Sequence, residues 1–262
     1  MAATTPTLAM VTGASSGIGK SFAEILASRG CDLILVARNR QRLEELADQL
    51  RQRNNRNVDV IVADLEQPAE LATVEERLHT DTRIDLLVNN AGYGFSGGFA
   101  ELPLERSTGQ LACNVVALTR LTHAALSTMK PSRRGGIINI ASTAAYAPMP
   151  YFSVYAATKA YVVSFSMGLS EESKKYGVTT TAVCPGFTRT EFQTRAEYDA
   201  KWMPAFAWQT ADAVVEESLA AYAAGHAVCV PGLQNRVTTT FMSLMPKSIV
   251  MSLIGRFAPE KG

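Results

Sequence analysis

Tyr155 and Lys159 stand four residues apart in the stretch YAATK, inside a segment whose apolar spacing reads as helix. One helical turn separates them, so both side chains fall on one face. A phenol ionises near pH 10 and an ammonium one turn away favours its charged form, drawing the pKa toward neutrality. A tyrosine tuned in this way can give a proton to, or take one from, an oxygen at which a carbonyl and an alcohol interconvert. Ser142, thirteen residues upstream, carries a hydroxyl able to hold the same oxygen. Asn114 adds an amide in the stretch ACNVVAL. Tyr and Lys also occur at this spacing on ordinary exposed helices, so the rest of the chain has to decide the meaning of the pair. Tyr146 and Tyr151 have no lysine four residues on, and Tyr161, six residues after Tyr155, points off its face. His79, His123 and His226 are not spaced as metal ligands, and no metal site is expected.

The elements that must position these groups alternate regularly. Seven short apolar runs (TLAMVTG, CDLILVAR, NVDVIVADL, IDLLVNNAG, GGIINIAS, VTTTAVCPG and HAVCVPG) are rich in Val, Ile and Leu. They lack clean alternation, as strands covered on both faces do. Between them lie helix patterns: one from Gly17 to a stop at Gly30, one over 40–53, and others at about 68–79, 103–129, 152–175 and 211–224. Strand and helix repeated in this order, with right-handed crossovers, predict an α/β doubly wound Rossmann fold: a mostly parallel seven-stranded sheet with helices on both faces. No repeat or linker interrupts the 262 residues, which are expected to form a single Rossmann-type domain, with 233–262 as a C-terminal apolar extension.

The first strand runs into TGASSGIG, Thr12 to Gly19, which opens the first helix. Gly13, Gly17 and Gly19 let backbone N–H groups approach a pyrophosphate, and the helix N-terminus adds partial positive charge. The spacing is G-x-x-x-G-x-G. With that loop, NNAG at Asn89 to Gly92, Asn114, Ser142, the Tyr155/Lys159 pair and CPG at Cys184 to Gly186, all in order over roughly 7–190, the chain resembles the classical short-chain dehydrogenases/reductases.

The resemblance implies a catalytic set of Asn114, Ser142, Tyr155 and Lys159. Tyr155 is the general acid/base, Ser142 holds the reacting oxygen, Lys159 tunes the tyrosine and hydrogen-bonds the nicotinamide ribose, and Asn114 stabilises a water linking the lysine to solvent. Cofactor contacts are implied at Gly13, Ser15, Ser16, Gly17, Ile18 and Gly19 of the loop, at Arg38, at Asp64 and Leu65 on the adenine side, at Asn90, Ala91 and Gly92, and at Pro185, Gly186 and Thr188, together with Tyr155 and Lys159. NAD-specific sites carry a carboxylate where the second strand ends. Here the strand ends LVARNR, with Arg38 in that place and Asp32 at the opposite end. A guanidinium suits a 2′-phosphate, so NADP(H) is the expected cofactor, with Arg40 or Arg42 as further donors. NADP-preferring family members often carry a basic residue in the glycine loop as well; this loop has only Ser15 and Ser16.

Tyr93, Phe95, Ala144, Tyr146, Met149 and Phe187 are expected to wall an apolar substrate, a 3-oxoacyl, steroid-like or other bulky carbonyl compound. FTRTEFQTRAEYDAKWMPAFAW should form a mobile lid over the cofactor, with Phe192, Trp202, Met203, Phe206 and Trp208 as apolar cover. An NAD-dependent alcohol dehydrogenase of the same family, and a non-catalytic cofactor-binding regulatory protein, use many of the same residues. A formal charge of +1 offers no footprint for nucleic acid. Four scattered cysteines predict buried, reduced thiols and a cytoplasmic protein. The tail VTTTFMSLMPKSIVMSLIGRF is interrupted by polar residues and Pro246, which argues against a membrane span. A homodimer or homotetramer is expected instead of membrane association.

Overall fold

A computed structural model describes residues 6–197, 204–246 and 248–250. Seven parallel strands form one sheet: β1 (Leu8–Thr12), β2 (Asp32–Ala37), β3 (Val58–Val62), β4 (Leu86–Asn89), β5 (Gly136–Ile140), β6 (Thr179–Val183) and β7 (Val228–Cys229). Their order across the sheet is β3-β2-β1-β4-β5-β6-β7. The helices are α1 (Gly17–Ser28), α2 (Arg40–Asn54), α3 (Pro68–Thr80), α4 (Leu104–Leu111), α5 (Leu118–Ser132), α6 (Ser153–Lys174), α7 (Phe192–Arg195), α8 (Ala211–Ala223) and α9 (Leu233–Leu244). The architecture is the expected Rossmann-like one.

Alternation within each strand sends side chains into two cores. Ala9, Val11, Leu33, Leu35, Leu86, Val88, Ile138 and Val183 pack with Phe22 and Leu26 of α1, Leu43 and Leu46 of α2, and Val215 and Leu219 of α8. Met10, Ile34, Val36, Leu87 and Ile137 face the other way, onto Leu71, Val74 and Leu78 of α3 and Leu121 and Met129 of α5. Both faces are apolar because both are covered, which is why the strand runs read as continuous.

Side-chain bonds fix the ends. The Asp85 carboxylate accepts from the backbone N–H of Thr7 and Leu8 at 3.0–3.1 Å, locking β1 beside β4. Asp32 accepts from the N–H and the amide of Asn57, both at 3.0 Å, so the acid at the start of β2 has a structural task. Asn39 caps α2 by accepting from Arg42 N–H.

The segment expected as one helix over 103–129 is divided. Between α4 and α5, Ala112–Ala117 forms a π-helical turn, and the helix continues to Ser132 through Pro131. Helix α9 was not anticipated. Its Leu233, Val237, Phe241 and Leu244 are all well exposed. No helix among the described residues is long and apolar enough to cross a membrane.

Candidate active site

The strand order reverses direction at β1, between β2 and β4. In open α/β sheets the crevice beyond the strand ends at such a point receives the ligand. The turn after β1 lies there. Gly13 and Gly17 have φ of +65° and +56°, a region that glycine enters without steric cost. A Cβ on Gly19 would lie 2.3 Å from Asn90 Nδ2 and 2.4 Å from Gly13 O, so the helix can approach this closely only with glycine. At the N-terminus of α1, the Ser16 side chain makes no capping bond and the first turn holds no acidic residue. The leading amides of Gly17, Ile18 and Gly19 therefore stand open to an anion. Ser15, Ser16 and Gly17 line a cleft of about 290 Å³ that they share with Lys20, Arg42, Glu45 and Glu191.

NNAG is tied directly to this loop. Thr12 Oγ1 accepts from the N–H groups of Asn90 and Ala91, each at 3.0 Å, and Asn90 Nδ2 donates to Thr12 O at 2.9 Å. The amide of Asn89 reaches sideways, to Thr122 Oγ1 and Asn139 Oδ1. A Cβ on Gly92 would come within 2.9 Å of Asn114 Oδ1 and 3.3 Å of Lys159 Nζ, so Gly92 admits the two polar groups beneath it.

Arg38 follows the end of β2 and is largely exposed. Its Nη1 lies 3.7 Å from Asp64 Oδ2 and 3.7 Å from Glu66 Oε1, two loose ion pairs. Leu65 between them is buried in the core. Tyr93 was expected on the substrate wall, yet its hydroxyl stands with the Glu66 carboxylate over Gly109, and burial together with that carboxylate pushes its pKa up. Its backbone is held at both ends by Asn114.

Asn114 sits in the π-helical turn and is buried there. Its Oδ1 accepts from Tyr93 N–H at 3.1 Å, and its Nδ2 donates to Tyr93 O at 2.8 Å and Thr158 Oγ1 at 3.1 Å. Both amide protons are thus used to join α6 to the loop that follows β4.

Ser142 begins a short 3₁₀ turn, Thr143–Tyr146, and its Oγ accepts from Ala144 N–H at 3.1 Å. Tyr155, in the first turn of α6, has that serine as a polar neighbour. Its ring is only 7% exposed and packs with Phe152 and Phe192 at centroid distances of 4.7 and 5.4 Å. Lys159 is also buried. It donates to Ile140 O at 2.8 Å and lies 5.6 Å from the centre of the Tyr155 ring.

The tuning expected of this pair takes a different form. Burial pushes Tyr155 up to about 12, opposed by the Ser142 hydroxyl, and burial brings Lys159 down to about 8, opposed by the Cys113 and Cys184 thiols. The ammonium lies on the Ile140 carbonyl and over the ring, and burial is the largest influence on both groups. Neither four-residue spacing nor helix geometry reveals how dry the site is.

The CPG turn after β6 forms the far wall. Pro185 O accepts from Thr143 N–H at 2.9 Å, bringing the Ser142 turn alongside, and Thr188 Oγ1 donates to Gly186 O at 3.1 Å. Gly186 faces Asn235 at the start of α9: a Cβ there would lie 2.4 Å from Asn235 Oδ1. Asn235 Nδ2 in turn donates to Pro231 O and Gln209 Oε1. Neither Asn235 nor Gln209 lies in a motif, and no sequence signal marked them. Met149, Ala144 and Phe192 pack with Phe152 and Tyr155, as an apolar wall requires. Tyr146 turns its hydroxyl to Cys184 Sγ, 3.8 Å away. Phe187 packs on Trp208, ring centres 5.4 Å apart and tilted by 53°. Trp202 and Met203 lie outside the described residues. All four cysteines are buried and unpaired by disulfides. Among the described residues no group of His, Cys, Asp or Glu could hold a metal ion.

The open helix N-terminus, the positive-φ glycines and the arginine at the β2 end suit a dinucleotide phosphate. Comparison with known proteins agrees. A model of the short chain dehydrogenase family matches residues 7–201. Human 17-beta-hydroxysteroid dehydrogenase type 3 is 31% identical over 241 residues, 91% of this chain and 75% of that protein. The very-long-chain 3-oxoacyl-CoA reductase of Rattus norvegicus is 35% identical over 190 residues, 70% of this chain; the match spans only 60% of that relative's length. The solved structure of a short-chain dehydrogenase from Sphingobium yanoikuyae in complex with NADPH matches with a TM-score of 0.83 at 38% identity, covering 92% of this chain and 97% of that one. The chain belongs to the short-chain dehydrogenase/reductase family of oxidoreductases.

Proposed function

We propose that the protein is an NADP(H)-dependent oxidoreductase that interconverts a ketone and a secondary alcohol on a bulky, mostly apolar substrate, with Tyr155 as general acid/base. The observation that carries this reading is the buried Tyr155 with Ser142 as its polar neighbour, on an apolar wall of Ala144, Met149, Phe152 and Phe192. A nicotinamide dinucleotide would supply or accept the hydride.

The chain's own groups handle the oxygen. Tyr155 stays protonated at neutral pH, which is the form able to donate to an oxygen gaining negative charge. Ser142, held by Ala144 N–H, offers its hydroxyl to the same oxygen. Lys159 is positioned by Ile140 O beneath Tyr155, close to Gly92, where the ribose of the cofactor would pass. Asn114 fixes the loop after NNAG to α6 and so sets the distance between Tyr155 and the cofactor floor.

Phosphates would lie on the amides of Gly17, Ile18 and Gly19, with Ser15 and Ser16 at the rim. The adenosine half would meet Arg38, Asp64, Leu65, Asn90 and Ala91, and the nicotinamide half Pro185, Gly186 and Thr188. The names of the steroid dehydrogenase and the 3-oxoacyl-CoA reductase support a large apolar carbonyl compound, and the NADPH of the Sphingobium structure supports the 2′-phosphate assignment to Arg38. The same reading makes residues 1–262 one domain in the cytoplasm. It assembles as a homodimer or homotetramer through the exposed apolar residues Leu111, Val116, Tyr161 and Met167 of the α4–α5 and α6 surfaces.

NADPH consumption against a panel of bulky ketones and 3-oxoacyl thioesters tests the reading. Turnover with at least one of them, abolished in Tyr155→Phe, is expected. A panel with no turnover, or a Tyr155→Phe protein of undiminished rate, refutes it.

A further inference from the structure

The stretch after the CPG turn, Phe187 to Arg189, is held along one edge by Gln209. Gln209 N–H donates to Phe187 O and Gln209 O accepts from Arg189 N–H, each at 2.9 Å, so Thr188 and Gln209 pair for one residue as parallel strands do. The near end of the turn is held separately, by the bond from Thr143 N–H to Pro185 O.

Gln209 is gripped in turn from the start of α9. Asn235 Nδ2 donates to Gln209 Oε1 at 2.9 Å and to Pro231 O at 2.7 Å. Gly232 admits the Gln209 amide, since a Cβ there would stand 2.8 Å from Nε2. This helix start is fastened to α8: Gly232 N–H donates to both oxygens of Glu217, at 3.0 and 3.1 Å, and Arg236 pairs with the same carboxylate. A line of contacts therefore runs from α8 through Glu217 to the start of α9, and from Asn235 to the turn. Asn235 meets that turn twice. Its amide lies directly on Gly186, where a Cβ would be 2.4 Å from Oδ1, and it reaches Thr188 through Gln209.

We propose that Asn235 is a positioning residue for the nicotinamide half of the cofactor: it holds the far end of the wall from Gly186 to Thr188 opposite the Ser142 turn. This rests on the reading above that sets the nicotinamide against that wall. Without the two amide bonds the wall is held at Pro185 alone and can pivot. The ring resting on it then loses its alignment with the oxygen at Tyr155. The adenosine half meets other residues, Arg38, Asp64 and Leu65, and is not reached by this line of contacts.

The test measures, by titration calorimetry, the affinity for NADPH and for 2′,5′-ADP, a fragment without nicotinamide. Wild type, Asn235→Ala, Gln209→Met and the double variant are compared, with kcat for a ketone that wild type reduces. Asn235→Ala removes both donors, and Gln209→Met removes one acceptor while its backbone still pairs with Thr188. Asn235→Ala is expected to weaken NADPH about three- to tenfold and leave 2′,5′-ADP unchanged, with kcat lower by about ten- to a hundredfold. Gln209→Met should move in the same direction, and the double variant should lose no more than Asn235→Ala, because the two act through one bond. Equal weakening of NADPH and 2′,5′-ADP marks a merely structural role and overturns the inference. So do unchanged NADPH affinity and kcat, or losses that add in the double variant. The binding comparison needs no turnover, and a wild type that takes NADH instead is tested with NADH and ADP-ribose, so the failure of the functional reading is told apart from the failure of this one.

Discussion

Lys159 Nζ lies 2.8 Å from the carbonyl oxygen of Ile140 and 5.6 Å from the centre of the Tyr155 ring. The lysine is anchored to the end of a strand, and the tyrosine rests on it. Among the described residues its charge has no carboxylate partner, and this has a measurable cost. Folded, Lys159 holds its proton to about pH 8; unfolded, to the ordinary 10.5. Between those values the unfolded chain binds more protons, so this group makes stability rise with pH. Below pH 8 the burden is constant, and above 10.5 it is gone. Lys159→Met removes it at every pH. The unfolding free energy of wild type relative to the variant should therefore gain on the order of 3 kcal/mol between pH 7 and 10.5, measured by urea denaturation. A gap that does not move with pH would show that the lysine is not desolvated.

Tyr155→Phe keeps the ring between Phe152 and Phe192 and loses the hydroxyl. Turnover should fall by about 10² to 10⁴, with the NADPH dissociation constant nearly unchanged. Ser142→Ala removes a donor to the same oxygen and should cost about 10²- to 10³-fold in kcat. Single-turnover kinetics with a responsive ketone check both.

Arg38 is engaged only by ion pairs of 3.7 Å, so a phosphate can recruit it cheaply. Arg38→Asp should weaken NADPH about ten- to a hundredfold and improve NADH, since a charge-assisted bond is worth about 1.5–3 kcal/mol. Equal kinetics with both cofactors in wild type would show the arginine to be merely solvated.

Gly94 touches the tyrosine ring. A Cβ at this position would stand 2.7 Å from Tyr155 Cδ2 and 2.9 Å from Phe152 Cζ, both in buried rings. Gly94→Ala should displace the Tyr155 ring, lowering kcat about a hundredfold. The overpacking should destabilise the fold by about 1–3 kcal/mol. A variant of wild-type kcat and melting temperature would show that the ring has room to yield.

Much of the framework was readable before the structure. The seven apolar runs became the seven strands because a doubly covered sheet leaves no polar face to confuse the pattern. Other features left no trace in local pattern. The π-helical turn at Ala112–Ala117 looks like ordinary helix, since one extra residue per turn has no composition. The docking of Asn235 on Gly186, and of Glu191 on Arg42, joins positions far apart in sequence through single side chains. Tyr93 was misread because adjacency to NNAG says where a residue starts and not which way its side chain turns. The dryness around Tyr155 and Lys159 arises from the packing of Phe152 and Phe192, and no spacing encodes it.

The strand order has a consequence for the chain as it is made. β1 and β2 can pair soon after they leave the ribosome, and β3 follows on the outer side. The other edge of β1 has no partner until β4 is made: Leu8 waits for Asp85, 77 positions later. At about 5–20 residues per second this is roughly 4 to 15 s of translation. During that interval Ala9, Met10 and Val11 present an unpaired apolar edge, the kind that recruits other chains. The nascent protein is most in need of a holding chaperone while its first two αβ units are out and its central strand is still half alone.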